Sequence, residues 1–310
     1  MDNSAVVNSI PECGESKVRR VMIDIMIALL PAAIASIVFF GFKAALILAV
    51  CVGTAVLSEF LFNKLCKREQ TVGDLSAVVT GLMLALNLST NVTVWQCFVG
   101  SLFAIVIVKC AFGGRGYNFV NPAVAARVML LLAFTEVAGG AMTRFAELES
   151  GATPLAILGG AEGTMPGMID MLLGNRGGAI GESCIAALVL GGIYLLVRRV
   201  ISWQIPVVYI AGVFLLSLAI TQDVVSATYH VLGGGLVLGA IFMATDPVTS
   251  PKKNWGKVVF ALGCAIITVL IRFFGSYPEG VSFAILLMNI LCPYVDRMFE
   301  RAPKTAEVAE

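Results

Sequence analysis

VMIDIMIALLPAAIASIVFFG, residues 21–41, is an apolar run that carries a single charged side chain, Asp24. An α-helix of about 20 such residues, with a rise of 1.5 Å per residue, crosses the hydrocarbon core of a bilayer. The run is longer than the apolar region of a signal peptide, and no small-residue cleavage site follows it. The stretch therefore predicts a membrane-spanning helix that is retained in the mature protein.

The rest of the chain has the composition of a membrane protein. Of the 310 residues, 58% are hydrophobic and 13% are charged, and the mean hydropathy is +0.92. Soluble domains carry about 25% charged residues, so a soluble cytosolic enzyme is excluded. The formal net charge of +1 provides no basic surface for nucleic acid.

Ten apolar segments predict about ten transmembrane helices. They are placed at residues 21–41, 44–62, 75–88, 93–110, 122–135, 181–197, 205–220, 227–243, 257–274 and 281–296. Segments 75–88 and 122–135 are too short to cross the bilayer as straight helices. Short segments of this kind are typical of discontinuous helices, so we expect an all-α polytopic membrane protein with broken helices.

The distribution of basic residues predicts the orientation in the membrane. With a cytoplasmic N-terminus, all but four of the 21 Lys and Arg residues fall on the cytoplasmic side, in agreement with the positive-inside rule. The exceptions are Lys43, Arg144, Arg176 and Arg272. Both termini are therefore expected in the cytoplasm, and the long break at residues 136–180 is expected on the outer face.

The two halves of the chain resemble each other. Residues 80–85, TGLMLA, resemble residues 234–239, GGLVLG, and in each half a full span, a glycine-rich turn and a polar helix start follow. Because each half has an odd number of spans, the second copy enters the membrane from the opposite side, which predicts two inverted five-helix repeats. The expected division is a first repeat at 1–135, an outer loop at 136–180 and a second repeat at 181–310. Chance similarity between apolar helices is the alternative.

Metal and disulfide chemistry find no support in the sequence. The eight cysteines are scattered without a C-x-x-C pair, and His230 is the one histidine of the chain. This pattern matches neither a zinc site, an iron–sulfur site nor a disulfide framework. We therefore expect no metal site and no set of catalytic residues, and we interpret His230 as a packing residue.

The outer loop contains a short motif of small and hydroxyl residues. Ser150, Gly151, Ala152 and Thr153 are followed by Pro154. Gly151 and Ala152 leave space around the threonine hydroxyl, so that a bulky group can reach it. The motif also suits an ordinary turn in which Ser150 or Thr153 caps a helix that starts at Pro154. The residues alone leave both interpretations open.

Three longer motifs carry a resemblance to a known family. They are GGRGYNFVNPA at residues 113–123, MATDPVTSP at 243–251 and YPEGVSFAILLMN at 277–289. With them, most of the chain resembles the D subunit of the Rnf-type ion-translocating ferredoxin:NAD oxidoreductase complex. The related B subunit of the Nqr sodium pump is the runner-up, and its longer N-terminal region makes it the weaker match.

The resemblance implies a covalent cofactor. In this family, S-G-A-T is the site at which FMN is joined to the threonine hydroxyl by a phosphoester, and that threonine is here Thr153, preceded by Ser150, Gly151 and Ala152. The family usually has Asp six residues before the modified threonine, where this chain has Glu147. Members of this type can also hold a non-covalent riboflavin, which no motif places.

The resemblance also implies a function. The chain would be an integral-membrane electron-transfer subunit, not catalytic alone, of a complex that couples electron transfer from ferredoxin to NAD to the translocation of Na⁺ or H⁺. The implied location is the bacterial cytoplasmic (inner) membrane. The implied partners are the A, B, C, E and G types of Rnf subunit, a flavin transferase for maturation, and the lipid bilayer. Two other classes remain open: a flavin-free solute channel or transporter of the inverted-repeat type, and a scaffold subunit.

Ionisable residues in or beside the predicted spans are candidates for an ion pathway. We single out Asp24 in the first span and Asp246 in a Thr-Asp-Pro turn. A structural role, at the headgroup level or in a pair with a neighbour, is the alternative for Asp24 and for Arg127 in the fifth span, because both can reach the inner interface by snorkelling. The alternative for Asp246 is the formation of a turn.

Overall fold

The computed structural model describes residues 15–134, 153–174, 176–275 and 279–299. Within these ranges the chain forms helices and turns and no β-strand, so the all-α prediction is confirmed. The helices are α1 (Glu15–Phe40), α2 (Phe42–Leu65), α3 (Ser76–Leu86), α4 (Val94–Leu102), α5 (Pro122–Ala133), α6 (Pro154–Leu158), α7 (Met168–Leu173), α8 (Ile185–Val197), α9 (Gln204–Thr221), α10 (Val224–Leu232), α11 (Leu236–Leu238), α12 (Asn254–Phe274) and α13 (Val281–Phe299). A 3₁₀ turn, Val72–Asp74, precedes α3, and π-helical segments, Phe103–Cys110 and Gly239–Met243, extend α4 and α11.

Each of the ten predicted apolar segments is helical, but the helices differ in length. Of the described helices, α1, α2, α9, α12 and α13 are long and apolar enough to cross a membrane, and α10 with α11 makes a sixth span bent by 61°. The remaining four, α3, α4, α5 and α8, are shorter apolar helices. A helix of about 12 residues is only about 18 Å long, so a helix of this length cannot cross a bilayer on its own, as predicted for the segments at 75–88 and 122–135.

The lipid-facing surface is visible on α1. Ile27, Leu30, Ile34 and Val38 lie on one face of this helix, and each is 47–55% exposed. Their spacing of three and four residues places them one above the other. A continuous exposed apolar stripe of this kind would be unfavourable in water and is expected of a helix in contact with lipid.

Local sequence determines where several helices begin and end. Gly41, with φ 74°, separates α1 from α2 by a backbone conformation that few other residues adopt. Asn121 caps α5 by accepting hydrogen bonds from two backbone N–H groups, and Pro122 takes the first helical position. Asp223 caps α10 in the same way. Thus the short helices start at defined residues and are not frayed remnants of longer ones.

The two halves of the described structure use the same packing pairs. In the first half α1 packs on α3, α2 on α4, and α3 on α5. In the second half the corresponding pairs are α8 with α11, α9 with α12, and the α11 extension with α13. The halves meet where α1 packs on α8 and α5 on α13. An internal repeat requires this agreement; the division at residues 135 and 181 stays a prediction.

Glycine permits the closest of these approaches. A Cβ atom on Gly191 of α8 would lie 2.1 Å from the carbonyl oxygen of Ala28 in α1. A Cβ atom on Gly81 of α3 would lie 2.8 Å from the carbonyl oxygen of Cys51 in α2. Small residues at such crossings let helix backbones approach within a membrane, where burial of apolar surface provides little driving force.

Candidate functional site

Thr153 is the first described residue after the gap at residues 135–152, and it caps α6. Its Oγ1 accepts a hydrogen bond from the backbone N–H of Ala156 at 3.2 Å, and Pro154 follows at the first helical position. The side chain is half-buried. Capping uses a lone pair of Oγ1, so the hydroxyl still has its own proton to lose in a reaction. Ser150, Gly151, Ala152 and Glu147 lie outside the described residues, and their predicted roles are untested.

Helix α6 lies against the break between α10 and α11. Leu155, two residues after Thr153, is buried, and its side chain would be 3.1 Å from a Cβ atom on Gly233 and 2.6 Å from one on Gly234. Gly234 also has φ 66°, so both space and backbone conformation favour glycine there. The threonine of the motif is therefore held within one helical turn of a residue that packs on the broken span.

Acidic and amide oxygens from three parts of the chain meet at this break. A Cβ atom on Gly235 would lie 2.7 Å from Oε1 of Glu279, 3.3 Å from Oε2 of Glu182 and 3.8 Å from Oδ1 of Asn87. Asn87 follows α3, Glu182 precedes α8 and Glu279 precedes α13. The half-helix α11 thus begins among oxygen atoms, and any side chain at Gly235 would displace them.

Three arginines balance the two carboxylates. Arg127 Nη2 of α5 lies 2.7 Å from Oε2 of Glu279, and Arg176 Nη2 donates to the carbonyl oxygen of Glu182 at 2.7 Å. Arg272 of α12 donates to the carbonyl oxygens of His230 and Gly233. We call Arg127, Arg176, Arg272, Glu182 and Glu279 the break cluster. Arg127 and Glu279 form an ion pair, whereas Arg176 and Arg272 are held by backbone carbonyl oxygens; buried charges are tolerated when they are paired or hydrogen-bonded.

The break cluster retains unused hydrogen-bond donors. Arg127 Nε and Nη1, Arg176 Nε and Arg272 Nε are buried and have no hydrogen-bond partner among the described residues. Such donors are costly to leave unpaired, so they mark a place where a further acceptor would bind favourably. The predicted snorkelling of Arg127 to the inner interface is wrong, because its guanidinium is buried and pairs with Glu279 across the two halves.

His230 fits the packing role expected for it. The ring lies 4.6 Å from that of Phe273 between centroids, with an interplanar angle of 36°. The residue is 6% exposed, and its carbonyl oxygen, not its ring, accepts from Arg272. The histidine thus contributes to the break through its backbone.

A second feature is a cavity between the two halves, at the other end of α11. Its polar wall comprises Lys109, Arg115, Asn118, Asn121, Thr245 and Asp246, together with Ser76 at the start of α3. Lys109 Nζ lies 2.8 Å from Oε1 of Glu59 and donates to Oγ of Ser76 at 2.7 Å. Arg115 lies 3.4 Å from Oδ2 of Asp74. We call this cavity the inner cavity, after the side on which the basic residues predict it to open.

Buried asparagines tie the inner cavity to both halves. Asn121 Nδ2 donates to the carbonyl oxygen of Met243 at 3.2 Å, and its backbone N–H donates to Oδ1 of Asn289 at 3.1 Å. Asn289 Nδ2 donates in turn to the carbonyl oxygen of Thr249 at 3.1 Å. The turn that contains Asp246 is therefore held between α5 and α13.

Asp246 forms the turn that one of its two interpretations requires, whereas its role in an ion pathway is untested. Its Oδ1 accepts from the N–H of Val248 at 3.2 Å, and its carbonyl oxygen accepts from Thr249 and Ser250, so it organises a turn. It also lines the inner cavity. Removal from water raises the pKa of this carboxyl from its usual 3.8 to about 6. Asp246 is thus a turn residue whose carboxyl is poised to gain or lose a proton.

Asp24 is placed differently. Its Oδ1 accepts from the hydroxyl of Tyr194 at 2.9 Å, and its carboxylate pairs with Arg198 at 3.3 Å. Both partners lie at the end of α8, so the pair joins α1 to the second half. This is the pairing that its structural interpretation requires; its role in an ion pathway is untested.

Sequence reasoning misses several of these residues. Glu182 and Glu279 lie just at the edges of apolar segments, where charges are common, and Lys109 has the position of an ordinary inner-face lysine. The patterns Tyr-Pro-Glu-Gly at 277–280 and Gly-Glu-Ser at 181–183, each an acid among turn residues at a helix start, are the available signal. Among the described residues, no group of three or more His, Cys, Asp or Glu side chains could hold a metal ion.

Long apolar helices, a broken span and charges paired within the bundle define a polytopic integral membrane protein. Comparison with known proteins identifies its family. The model of the NQR2, RnfD, RnfE family matches residues 7–304, and the chain belongs to that family.

Individual relatives agree with this assignment, and each is the D subunit of its complex. The chain is 44% identical over 281 residues to that of the Na⁺-translocating ferredoxin:NAD⁺ oxidoreductase complex of Acetobacterium woodii, covering 89% of this chain and 87% of the relative. It is 38% identical over 319 residues to the D subunit of the proton-translocating ferredoxin:NAD⁺ oxidoreductase complex of Clostridium ljungdahlii, covering 95% of this chain and 94% of the relative. It is 36% identical to that of the ion-translocating oxidoreductase complex of Stutzerimonas stutzeri, covering 91% of each. The predicted resemblance to the Rnf D subunit is confirmed.

Proposed function

We propose that this chain is the electron-transfer D subunit of an Rnf-type ion-translocating ferredoxin:NAD oxidoreductase complex, with FMN attached to Thr153. The observation that carries the proposal is Thr153 itself: a half-buried hydroxyl at the start of α6, next to the broken span of a chain that matches Rnf D subunits over most of its length. The two nearest features, a hydroxyl with a free proton and a charged cluster with unused donors, both suit a phosphorylated redox cofactor.

The residues present fit an FMN phosphoester. Thr153 supplies the oxygen of the ester bond, and Gly151 and Ala152 precede it in the sequence. The unpaired N–H groups of Arg127 and Arg272 in the break cluster are the donors that anionic and carbonyl oxygens require. When attached, FMN supplies one-electron and two-electron redox chemistry that no side chain of this protein provides.

The chain's own residues would then have three tasks. Thr153 tethers the cofactor and prevents its loss, and Leu155 keeps the tether on the break by packing against Gly233 and Gly234. The break cluster provides fixed charges in a site removed from water, where they act more strongly than in water. None of these residues breaks or forms a bond during electron transfer, in keeping with a relay subunit.

Flavin attachment is tested by denaturing electrophoresis with in-gel flavin fluorescence. The full chain is co-expressed with a flavin transferase as wild type, as Thr153→Val and as Thr164→Val, a matched control at an exposed threonine of the same region. We expect fluorescence in the wild type and in Thr164→Val and none in Thr153→Val. A wild-type band without fluorescence, with an active transferase, would overturn the proposal and favour the transporter or scaffold alternatives.

A fourth variant addresses Glu147. If the transferase requires the shorter acid that is usual at this position, Glu147→Asp increases the fluorescence of the band. If it accepts either acid, the fluorescence is unchanged. Both results are compared with Thr153→Val, so they concern the efficiency of attachment and not its position.

For ion translocation, Na⁺ or H⁺, we propose a path that includes the inner cavity and Asp246. The cavity lies between the halves, and the carboxyl of Asp246 can change its charge near neutral pH. In proteoliposomes that hold the complete complex, Asp246→Asn should reduce ion uptake with unchanged flavin fluorescence. Asp223→Asn, which keeps an exposed helix cap, is the control. Equal ion uptake in both variants would exclude Asp246 from the ion path. The variant Asp24→Asn tests the other candidate in the same assay.

Location and assembly complete the proposal. We place the protein in the bacterial inner membrane with both termini in the cytoplasm and Thr153 on the outer face, as the basic residues predict. Partners of the A, E and G types would join it in the membrane part of the complex, and the B and C types would supply the iron–sulfur clusters and the NAD chemistry. A non-covalent riboflavin remains part of the proposal without an assigned site. Labelling of single cysteines introduced beside Thr153 by a membrane-impermeant reagent tests the orientation.

A further inference from the structure

A basic pocket lies between the end of α8 and the start of α12. It has a volume of about 240 Å³, and its polar lining includes Arg199, Ser202, Ser250, Lys252 and Lys257. Arg199 and Ser202 belong to the turn between α8 and α9, Ser250 and Lys252 belong to the turn that leads into α12, and Lys257 lies in the first turn of α12. Two separate turns and the start of α12 thus place three cations and two serine hydroxyl groups around one space.

The three cations of this pocket have no fixed partners. The side chains of Arg199, Lys252 and Lys257 form no ion pair or hydrogen bond with any described residue. The carboxylate beside them is Asp296 of α13, whose Oδ1 accepts from the backbone N–H of Lys252 at 3.0 Å. Three cations against one carboxylate leave the pocket positive, which favours an anionic ligand.

An apolar groove adjoins the basic pocket. The groove has a volume of about 510 Å³ and is lined mainly by apolar side chains of α8, α9, α10 and the α11 extension, among them Ile193, Pro206, Val207 and Ile241. Ile201 lines both the groove and the basic pocket. A positive pocket that continues into an apolar groove offers the two environments that an anionic lipid requires.

Two tryptophans indicate the level of the pocket in the membrane. Trp203 follows Ser202 and is 58% exposed, and Trp255 precedes Lys257 by two residues and is 72% exposed. Exposed tryptophans at the ends of membrane helices lie preferentially at the headgroup level. Both flank the pocket where α9 and α12 begin, so the pocket is open to lipid headgroups more than to bulk water.

From these observations we infer that the protein binds a phospholipid with an anionic headgroup at this place. The phosphate lies among Arg199, Lys252 and Lys257, and an acyl chain lies in the groove beside Ile193 and Val207. Juxtamembrane basic residues contribute attraction to anionic lipid individually, so that three of them add up to a marked preference. The inference does not depend on the flavin or on the direction of electron transfer.

The test is lipid retention by the full-length chain. Wild type and variants are reconstituted in nanodiscs of phosphatidylglycerol and phosphatidylcholine in equal amounts, extracted gently, and examined for bound lipid by native mass spectrometry. The pocket variant is Arg199→Gln/Lys252→Gln/Lys257→Gln. The matched control is Lys17→Gln/Lys64→Gln/Lys67→Gln, three exposed basic residues outside the pocket. We expect the ratio of bound phosphatidylglycerol to bound phosphatidylcholine to fall roughly tenfold in the pocket variant and to stay unchanged in the control.

A second pair of variants separates a lipid from free phosphate. Ile193→Trp fills the groove, whereas Leu190→Trp places the same side chain on the exposed face of α8 outside it. Loss of retained lipid in Ile193→Trp only supports the inference. Unchanged lipid in Ile193→Trp, with displacement of phosphatidylglycerol by millimolar inorganic phosphate, would overturn it in favour of a soluble anion.

Other outcomes also decide the inference. Equal retention by the pocket variant and its control would exclude the three cations as the binding site. Retention by the isolated chain that disappears in the assembled complex would overturn it in favour of an acidic protein surface that occupies the pocket. Circular dichroism and size-exclusion profiles that match the wild type ensure that loss of lipid is not loss of fold.

Discussion

The two charged sites of the protein differ in what they connect. Lys109, Glu59, Arg115 and Asp74, at the inner cavity, all belong to the first half of the chain. The break cluster joins Arg127 of the first half to Glu279 of the second, 152 positions away. The first set therefore fixes the structure of one repeat, whereas the second holds the repeats together near α6, the helix that Thr153 caps.

The sites also differ in the number of cations near each carboxylate. Glu59 pairs with Lys109, and its other oxygen is buried without a hydrogen-bond partner in the described structure. In the break cluster, three arginines surround two glutamates. Removal of one cation should therefore lower the free energy of unfolding more at the inner cavity than at the break.

Lys109→Met should be the most damaging change. It leaves Glu59, which is 1% exposed, as an unpaired charge, and removal of one partner of a buried pair typically costs about 3–5 kcal/mol. Thermal unfolding in detergent should show a large loss of stability. The double variant Lys109→Met/Glu59→Gln should recover most of it, and a double variant no better than the single one would contradict the pairing.

Arg127→Met should have a smaller effect, roughly 2–3 kcal/mol, because Arg272 and Arg176 still balance Glu279 and Glu182. A double-mutant cycle with Glu279→Gln measures the coupling between the halves. Coupling near zero would show that the two halves are held by α1 on α8 and α5 on α13 alone. A loss equal to that of Lys109→Met would show that the other arginines provide no compensation.

The sequence predicts the helical segments that form these sites better than the contacts between them. The lengths of the apolar runs locate all ten helical segments and identify those at 75–88 and 122–135 as too short to cross a bilayer, because length and hydropathy are properties of a segment. The bend between α10 and α11 lies within the segment predicted as a single span at 227–243, and it was not predicted. The same local view places Arg127 at the inner interface, since its nearest sequence neighbours point there. Its actual partner, Glu279, follows from the packing of α5 on α13, and no local pattern in one sequence reports such a contact.

Asp246→Asn should change the pH dependence of stability. The folded carboxyl has a pKa of about 6 against 3.8 in its usual state, so the folded protein holds this proton more tightly than the unfolded one. Stability from this group is therefore present at low pH and declines as pH rises from about 4 to about 6. Because the residue is partly exposed, the decline is about 1–2 kcal/mol. The Asp246→Asn variant should not show this decline in stability.

Melting temperatures at pH 4.5 and 7.5 provide the measurement. Lys109 and Arg115 line the same cavity and are present in both proteins, so the comparison isolates the carboxyl of Asp246. The variant should gain on the wild type at pH 7.5 and not at pH 4.5. Melting temperatures that change with pH equally in the two proteins would indicate that the carboxyl is hydrated in the native state, and would count against the proposal that Asp246 lies in an ion path.

The smallest effect is expected at Thr153, which caps the helix that packs on the break. Without flavin, Thr153→Val removes the cap of α6 and should cost about 1 kcal/mol, whereas Thr153→Ser keeps the cap and should cost less. Because α6 packs on the break through Leu155, the loss should appear as faster hydrogen exchange in α10 and not around the inner cavity. Equal protection of α10 in both variants would mean that the start of α6 and the break are energetically independent, so that a group joined to Thr153 would not affect the break cluster.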